Sequence, residues 1–108
     1  MTAAAQLTAV MKMLADPSRR AVFERIAGER EVAATSLVKG LKVSQPAVSQ
    51  HLRALRHAGL VAERREGRHI YYRPEPKGLA PLHDWLSHYQ AFWQERFSNL
   101  EKLLKEDE

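Results

Sequence analysis

The sequence contains no cysteine. That absence excludes disulfide cross-links, thiolate nucleophiles, redox pairs and thiolate metal sites together. Long apolar runs are missing as well. The opening stretch from Met1 to Ala15 is mildly apolar, but Gln6, Thr8 and Lys12 interrupt it and it lacks a basic leader. It reads as neither a signal peptide nor a membrane span, so a cytoplasmic protein without a membrane partner is expected. No nucleophile–base set, glycine-rich phosphate loop or metal cluster is visible, and neither an enzyme nor a cofactor is expected. Internal repeats and low-complexity tracts are absent too.

What is present suits one folded domain. The chain has 108 residues, 44% hydrophobic and 28% charged, outside the low-hydrophobicity, high-charge region of disordered chains. The net charge is +4, and it is unevenly spread. Residues 44–73 hold six arginines (53, 56, 64, 65, 68 and 73) against two glutamates (63 and 66), whereas residues 79–108 hold three cations against six acids. A local basic footprint of this kind points to a polyanionic partner at one region of the surface.

Leu7, Val10, Met11 and Leu14 recur at the spacing of one helix face. Asp16-Pro17 reads as an N-cap followed by proline at the first helical position, opening a second helix through Val22, Phe23 and Ile26 that stops at Gly28. A polar stretch from Glu29 to Ala34 leads to a short third helix around Leu37 and Val38, ending near Gly40. Ser44, with Pro46 in the first turn, starts a fourth helix that continues to Gly59. Two helices joined by a tight turn form a helix-turn-helix pattern. The runs 60–65 and 69–73 flank Glu66-Gly67-Arg68, read as a β-hairpin with three turn residues. From Leu79 to Lys105 the apolar residues predict one long helix, with Leu82, Leu86, Tyr89, Trp93, Leu100 and Leu103 at intervals close to a heptad.

The run from Val43 to Val61 (VSQPAVSQHLRALRHAGLV), with Leu14-Ala15-Asp16-Pro17-Ser18-Arg19-Arg20 upstream and Arg64-Arg65-Glu66-Gly67-Arg68-His69-Ile70-Tyr71-Tyr72 downstream, resembles the ArsR/SmtB family of bacterial repressors. The resemblance spans roughly residues 7–73 in family order. It implies a homodimeric winged helix that blocks transcription from an inverted-repeat operator in double-stranded DNA, commonly released by an effector. Many such relatives sense metals through a Cys pair in the third helix or an Asp/His set along the last helix. The first set has no residues here. For the second, Asp84 is present but Leu86 stands where the next His is expected, which implies a non-metal-sensing branch. His83 and His88 are five apart and fall on different faces. Control then rests either on an unidentified small molecule or on the concentration of the chain itself.

On a helical wheel counted from Gln45, Val48, Leu52 and Leu55 cluster between about 280° and 340°, while Gln45, Arg56, Ser49, Arg53 and Gln50 lie between about 0° and 140°. A polar helix face can be merely solvated. Here a tight turn precedes it, no acid occurs from Ser44 to Arg56, and a basic hairpin follows. Gln can read adenine, Arg guanine, and Ser bases or phosphates. The expected DNA contacts are therefore Gln45, Ser49, Gln50, Arg53 and Arg56, with Ser44 and the helix N-terminus on a phosphate. His51 lies at the core edge, where packing or an internal hydrogen bond is expected. In the hairpin, Arg64, Arg65, Arg68 and His69 are expected at phosphates or an adjacent minor groove. Tyr71 and Tyr72 alternate faces, with Tyr71 assigned to DNA. Arg19 is either a phosphate contact or an ion-pair partner, as is Arg20.

The fold class expected is mainly α with a small β-hairpin (α+β). It is a single winged helix-turn-helix domain over 1–108, with five helices and a β-wing: 33–59 the helix-turn-helix, 60–73 the wing, and 1–15 and 79–105 dimerisation helices. A core of this size cannot cover a 25-residue helix bearing two tryptophans, so a second copy is expected on Leu7, Val10, Met11, Leu14, Leu82, Leu86, Tyr89, Trp93 and Leu100. The other reading of the aromatic stripe (Trp85, Tyr89, Phe92, Trp93) is a ligand pocket. The competing function is a winged-helix protein-interaction module that does not read DNA sequence.

Overall fold

The computed structural model describes residues 2–106; Met1, Asp107 and Glu108, which the expected domain bounds include, lie outside them. Helix α1 (Ala3–Ala15) begins at Thr2, whose hydroxyl accepts from the Ala5 N–H at 3.1 Å. It ends at Asp16, which caps α2 (Pro17–Glu29) by accepting from the Arg19 N–H at 3.0 Å, with Pro17 in the first turn as expected. The α2 helix passes its expected stop at Gly28. The chain reverses instead at Arg30, whose φ of 66° and ψ of −44° form a strained γ-turn closed by the Glu31 N–H donating to the Glu29 carbonyl at 2.7 Å.

A two-residue strand, β1 (Val32–Ala33), precedes the one-turn helix α3 (Ala34–Leu37). Helix α4 (Gln45–His57) leads into β2 (Val61–Glu66) and β3 (His69–Pro74). The three strands form an antiparallel sheet in the order β1-β3-β2. Sequence reading expected the hairpin but not β1, which pairs Val32 with Tyr72 and Ala33 with Tyr71. The hairpin turn also differs. Glu66 pairs with His69, leaving two turn residues rather than three. Gly67 takes φ 61° at the first of them, where a type II′ turn calls for glycine.

The core is continuous across these elements: Val10 of α1, Val22, Phe23 and Ile26 of α2, Val32, Leu37, then Val48, Leu52 and Leu55 of α4, and Leu60, Val61 and Tyr72 of the wing. Burying large aliphatic side chains of this kind contributes about 1.5–3 kcal/mol each. Helix α4 and the wing are thus built into one core and cannot pivot independently without opening it.

After β3 the chain makes a 3-10 turn (Pro76–Leu79) in which Gly78 approaches the end of α4. A Cβ on Gly78 would lie 2.1 Å from the Gly59 carbonyl oxygen, so only glycine fits. The expected single terminal helix is divided into α5 (Ala80–His88) and α6 (Gln90–Glu106) at Tyr89, whose φ and ψ are −103° and 7°. Helix α5 packs on α1, and the described side chains of α6 from Phe92 to Glu106 are all exposed. The Cα radius of gyration, 17.5 Å, exceeds the roughly 13 Å of a compact domain of this length because α6 projects from the body. Among the described residues, no helix is long and apolar enough to cross a membrane.

Candidate nucleic-acid interface

Helix α4 is fixed at both ends by local chemistry. At its start the Ser44 hydroxyl accepts from the Ala47 N–H at 3.3 Å and Pro46 occupies the first turn. At its end Gly59, φ 77°, donates to the Arg56 carbonyl at 3.0 Å, and the Leu60 N–H reaches the Leu55 carbonyl at 2.9 Å. That is the paired hydrogen bonding of a Schellman stop. Between these ends Val48, Leu52 and Leu55 are buried, while Gln45, Ser49, Gln50, Arg53 and Arg56 are exposed. The helix therefore presents the expected polar face, and Ser44 is exposed beside it.

The register of the hairpin sorts the wing's side chains into two sets. Glu63 faces Tyr72 and Arg65 faces Ile70 across the strands, and all four side chains turn toward α4. Arg64 faces Tyr71 and Glu66 faces His69, on the opposite side of the hairpin. Between α4 and the first set lies a cleft of about 330 Å³ whose polar lining includes Gln45, Ser49, Arg53, Arg56, Arg65 and Glu63. The structure thus brings together residues seven to twenty apart in sequence on one concave, largely cationic surface.

Glu63 holds the two walls of that cleft together. One carboxylate oxygen accepts from Arg56 Nη1 of α4 at 2.6 Å, and the other from Arg65 Nε at 3.3 Å. The Tyr72 hydroxyl stands 3.5 Å from the same group. The Glu63 side chain is 18% exposed and that of Arg65 71%. Burial pushes the Glu63 carboxyl up, but the hydrogen bond from Arg65 and the charge of Arg56 outweigh it and hold the group below the usual carboxylate range. Glu63 was missed in the sequence, although its odd-numbered alternation with Arg65 on one strand was a usable signal.

On the other face Arg64, expected among the DNA-facing cations, is committed to neighbours. Its guanidinium pairs with Glu31 at 2.7 Å and with Glu66 at 2.7 Å. It also lies over the Tyr71 ring, and the hydrogen bond from Arg64 lowers the Glu31 carboxyl from its ordinary value. Tyr71 is half-buried there. Arg68 and His69 are exposed at the hairpin tip.

Arg19, in the first turn of α2, is half-buried, and its Nε is enclosed without a hydrogen-bond partner among the described residues. Arg20 donates to the Leu14 carbonyl at 3.0 Å and lies 3.9 Å from Glu24. His51 sits half-buried as expected at the core edge, with Nδ1 enclosed and likewise without a partner among the described residues, so the alternative of an internal hydrogen bond through that atom is not realised.

The residues expected on the terminal-helix face divide by burial. Val10 is taken up by the protomer's own core, and Leu14 and Leu82 are partly buried against it. Leu7 is half-buried, while Met11, Leu86, Tyr89, Trp93 and Leu100 are exposed. The aromatics pack on one another along the helices: Trp85 edge-on to Tyr89 at 5.5 Å and Trp93 stacked on Phe97 at 5.8 Å. A groove of about 440 Å³ runs past Leu86, Trp93 and Phe97. The residues of the metal sets raised by the resemblance are placed as follows. There is no cysteine, Asp84 pairs with the adjacent His83 at 3.4 Å on an open surface, and no group of three or more potential ligands occurs among the described residues.

Comparison with known proteins follows the same outline. The model of a helix-turn-helix domain family matches residues 14–64. The chain is 41% identical over 91 residues to the HTH-type transcriptional regulator Rv2034 of Mycobacterium tuberculosis, covering 84% of this chain and 81% of that one. It is 28% identical over 80 residues to the transcriptional repressor SdpR of Bacillus subtilis, covering 74% and 88%. An ArsR-like transcriptional regulator from Rhodococcus sp. RHA1 superposes with a TM-score of 0.70 at 30% identity over 92% of each chain. With its winged helix-turn-helix fold and its polar α4 face, the chain belongs to the ArsR/SmtB family of DNA-binding helix-turn-helix transcriptional regulators.

Proposed function

We propose that the chain is a homodimeric repressor that reads an inverted-repeat operator through α4 and occludes transcription from the neighbouring promoter. The observation that carries this reading is the exposed, acid-free face of α4, set beside the Arg65 wall of the wing. In the major groove, Gln45 and Gln50 have the paired donor and acceptor that adenine requires, and Arg53 has the fork that guanine O6 and N7 accept. Ser49 reaches bases or phosphates, and Ser44 with the first turn of α4 meets the backbone. Arg56 and Arg65 line the cleft, while Arg68 and His69 extend to phosphates or the next minor groove. Arg64 and Tyr71 support the wing from its outer face.

Dimerisation follows from the unpartnered apolar surface of α1, α5 and α6. A second copy laid on Met11, Leu86, Tyr89, Trp93 and Leu100 removes large exposed side chains from water. Two-fold symmetry then requires a two-fold operator. Repression is supported by the Bacillus subtilis relative, itself a transcriptional repressor. Without thiolates, release depends on a small molecule of unidentified structure or on the concentration of the chain itself.

The test is selection of sites from a random duplex pool at about 0.15 M salt, where much of the sequence-independent attraction is suppressed. An enriched inverted repeat supports the proposal. A folded dimer that enriches no motif moves the reading to a winged-helix module that binds protein.

A further inference from the structure

We infer that Glu63 is a specificity-determining residue: it occupies, from within the protein, the position of a phosphate between Arg56 and Arg65 and thereby restrains both arginines against indiscriminate binding to the DNA backbone. This rests on the DNA-reading function proposed above. It goes beyond that reading by assigning a role to an acid in an otherwise cationic cleft.

The geometry has three parts. Glu63 bridges two secondary-structure elements that both face the cleft, accepting from Arg56 of α4 at 2.6 Å and from Arg65 of β2 at 3.3 Å. Its two oxygens are divided between the two guanidinium groups, as two oxygens of a phosphate would be. It is also the least exposed member of the cluster: its side chain is 18% exposed, against 48% for Arg56 and 71% for Arg65. The carboxylate thus lies beneath the arginines and the arginines lie toward solvent.

The consequence follows from charge and entropy. Arg53, Arg56 and Arg65 bring three positive charges to the cleft, and Glu63 offsets one of them. Nonspecific affinity rests on phosphate neutralisation, so an internal acid weakens it on every sequence alike. Specific affinity also depends on how well the side chains are held before binding, and the Glu63 bonds hold two long, rotamer-rich side chains in one arrangement. One carboxylate therefore lowers the background and preserves the operator signal. A carboxylate that only offset charge, without holding the two guanidinium groups, would on removal raise affinity for random and selected duplex by the same factor and leave their ratio unchanged.

The experiment compares the wild-type chain with Glu63→Gln, measuring binding to a random-sequence duplex and to the site recovered by selection, each across a series of salt concentrations. The expected result is tighter binding of Glu63→Gln to random duplex, by roughly fivefold for each arginine released at 0.15 M salt. The slope of log affinity against log salt should steepen by about 0.9 per released arginine, and the ratio of selected-site to random affinity should fall. In an Arg56→Gln background the same change at Glu63 should steepen the slope by at most one arginine's share. Unchanged or weaker random binding by a folded Glu63→Gln chain overturns the inference and shows that Glu63 serves only to position the arginines. If Glu63→Gln does not fold, Glu63→Thr, a β-branched residue suited to a strand, takes its place in the same comparison. Failure of the wild-type chain itself to bind duplex overturns the DNA-reading function, and the Glu63 role with it.

Discussion

The guanidinium carbon of Arg64 lies 4.5 Å from the centroid of the Tyr71 ring, and the two residues face each other directly across β2 and β3. With Glu31 and Glu66 on either side, this pair ties the loop after α2 to the outer face of the hairpin. Its neighbour Arg65 points the other way, into the cleft. Adjacent arginines in one strand therefore lie on opposite faces with different partners, and mutation should separate their effects.

Arg64→Ala is expected to lower the melting temperature by a few degrees while leaving the salt dependence of duplex binding close to that of the wild type. Arg65→Ala is expected to do the reverse on the selected site, where its guanidinium turns from Glu63 to a phosphate, reducing the salt slope there by about 0.9. Thermal melts paired with salt-series titrations distinguish the two. Equal salt slopes in the two variants would contradict the division of faces.

Gly78→Ala should destabilise the fold by about 1–3 kcal/mol, because the added methyl meets backbone rather than a movable side chain. Chemical denaturation reads this directly. Gly28→Ala is the control: a Cβ there meets nothing within 4 Å and the position is helical, so that variant should gain stability by about 0.5–1 kcal/mol.

Trp93→Glu should convert the proposed dimer to a monomer. The substitution places a charge at the centre of the exposed apolar stripe without touching the buried core. Sedimentation should show the monomer with helix content retained, and duplex affinity should fall. A persisting dimer would remove α6 from the interface.

Much of the fold was legible because its punctuation is local. The caps at Asp16 and Ser44 and the stop at Gly59 each depend on a handful of neighbouring residues, and each is where the sequence placed it. The polar face of α4 was legible for the same reason, through the 3.6-residue period. What was not legible depends on distant partners. Two-residue β1 exists only because Val32 meets Tyr72, forty positions away. Gly78 is constrained only by the end of α4. The sides of the wing were hidden by the turn, since one residue more or fewer changes the register and with it the face on which a side chain falls. Glu63 and Glu31 went unnoticed for that reason. The break at Tyr89 carries neither glycine nor proline, so the apolar periodicity ran through it.

Acid should destabilise the chain partly through Asp16. The hydrogen bond from the Arg19 N–H holds its carboxyl below the ordinary value. A carboxylate whose folded pKa lies below its unfolded one contributes stability above the unfolded value of about 3.9, and that contribution is lost as pH falls through the folded pKa. Asp16→Asn keeps a capping side chain but does not titrate. Its stability should therefore fall less steeply than the wild type's below about pH 4. Parallel slopes in denaturation series from neutral to acidic pH would contradict the capping role.

The most direct measurement is a parallel site selection with the wild-type chain and with Arg53→Ala, from one random duplex pool at about 0.15 M salt. The wild type should recover an inverted repeat. Arg53→Ala should recover the same repeat with preference relaxed at one position in each half, at a cost of about 1–3 kcal/mol on the wild-type site. No enriched repeat from the folded wild-type chain, or identical motifs from both proteins, would contradict sequence reading by the α4 face.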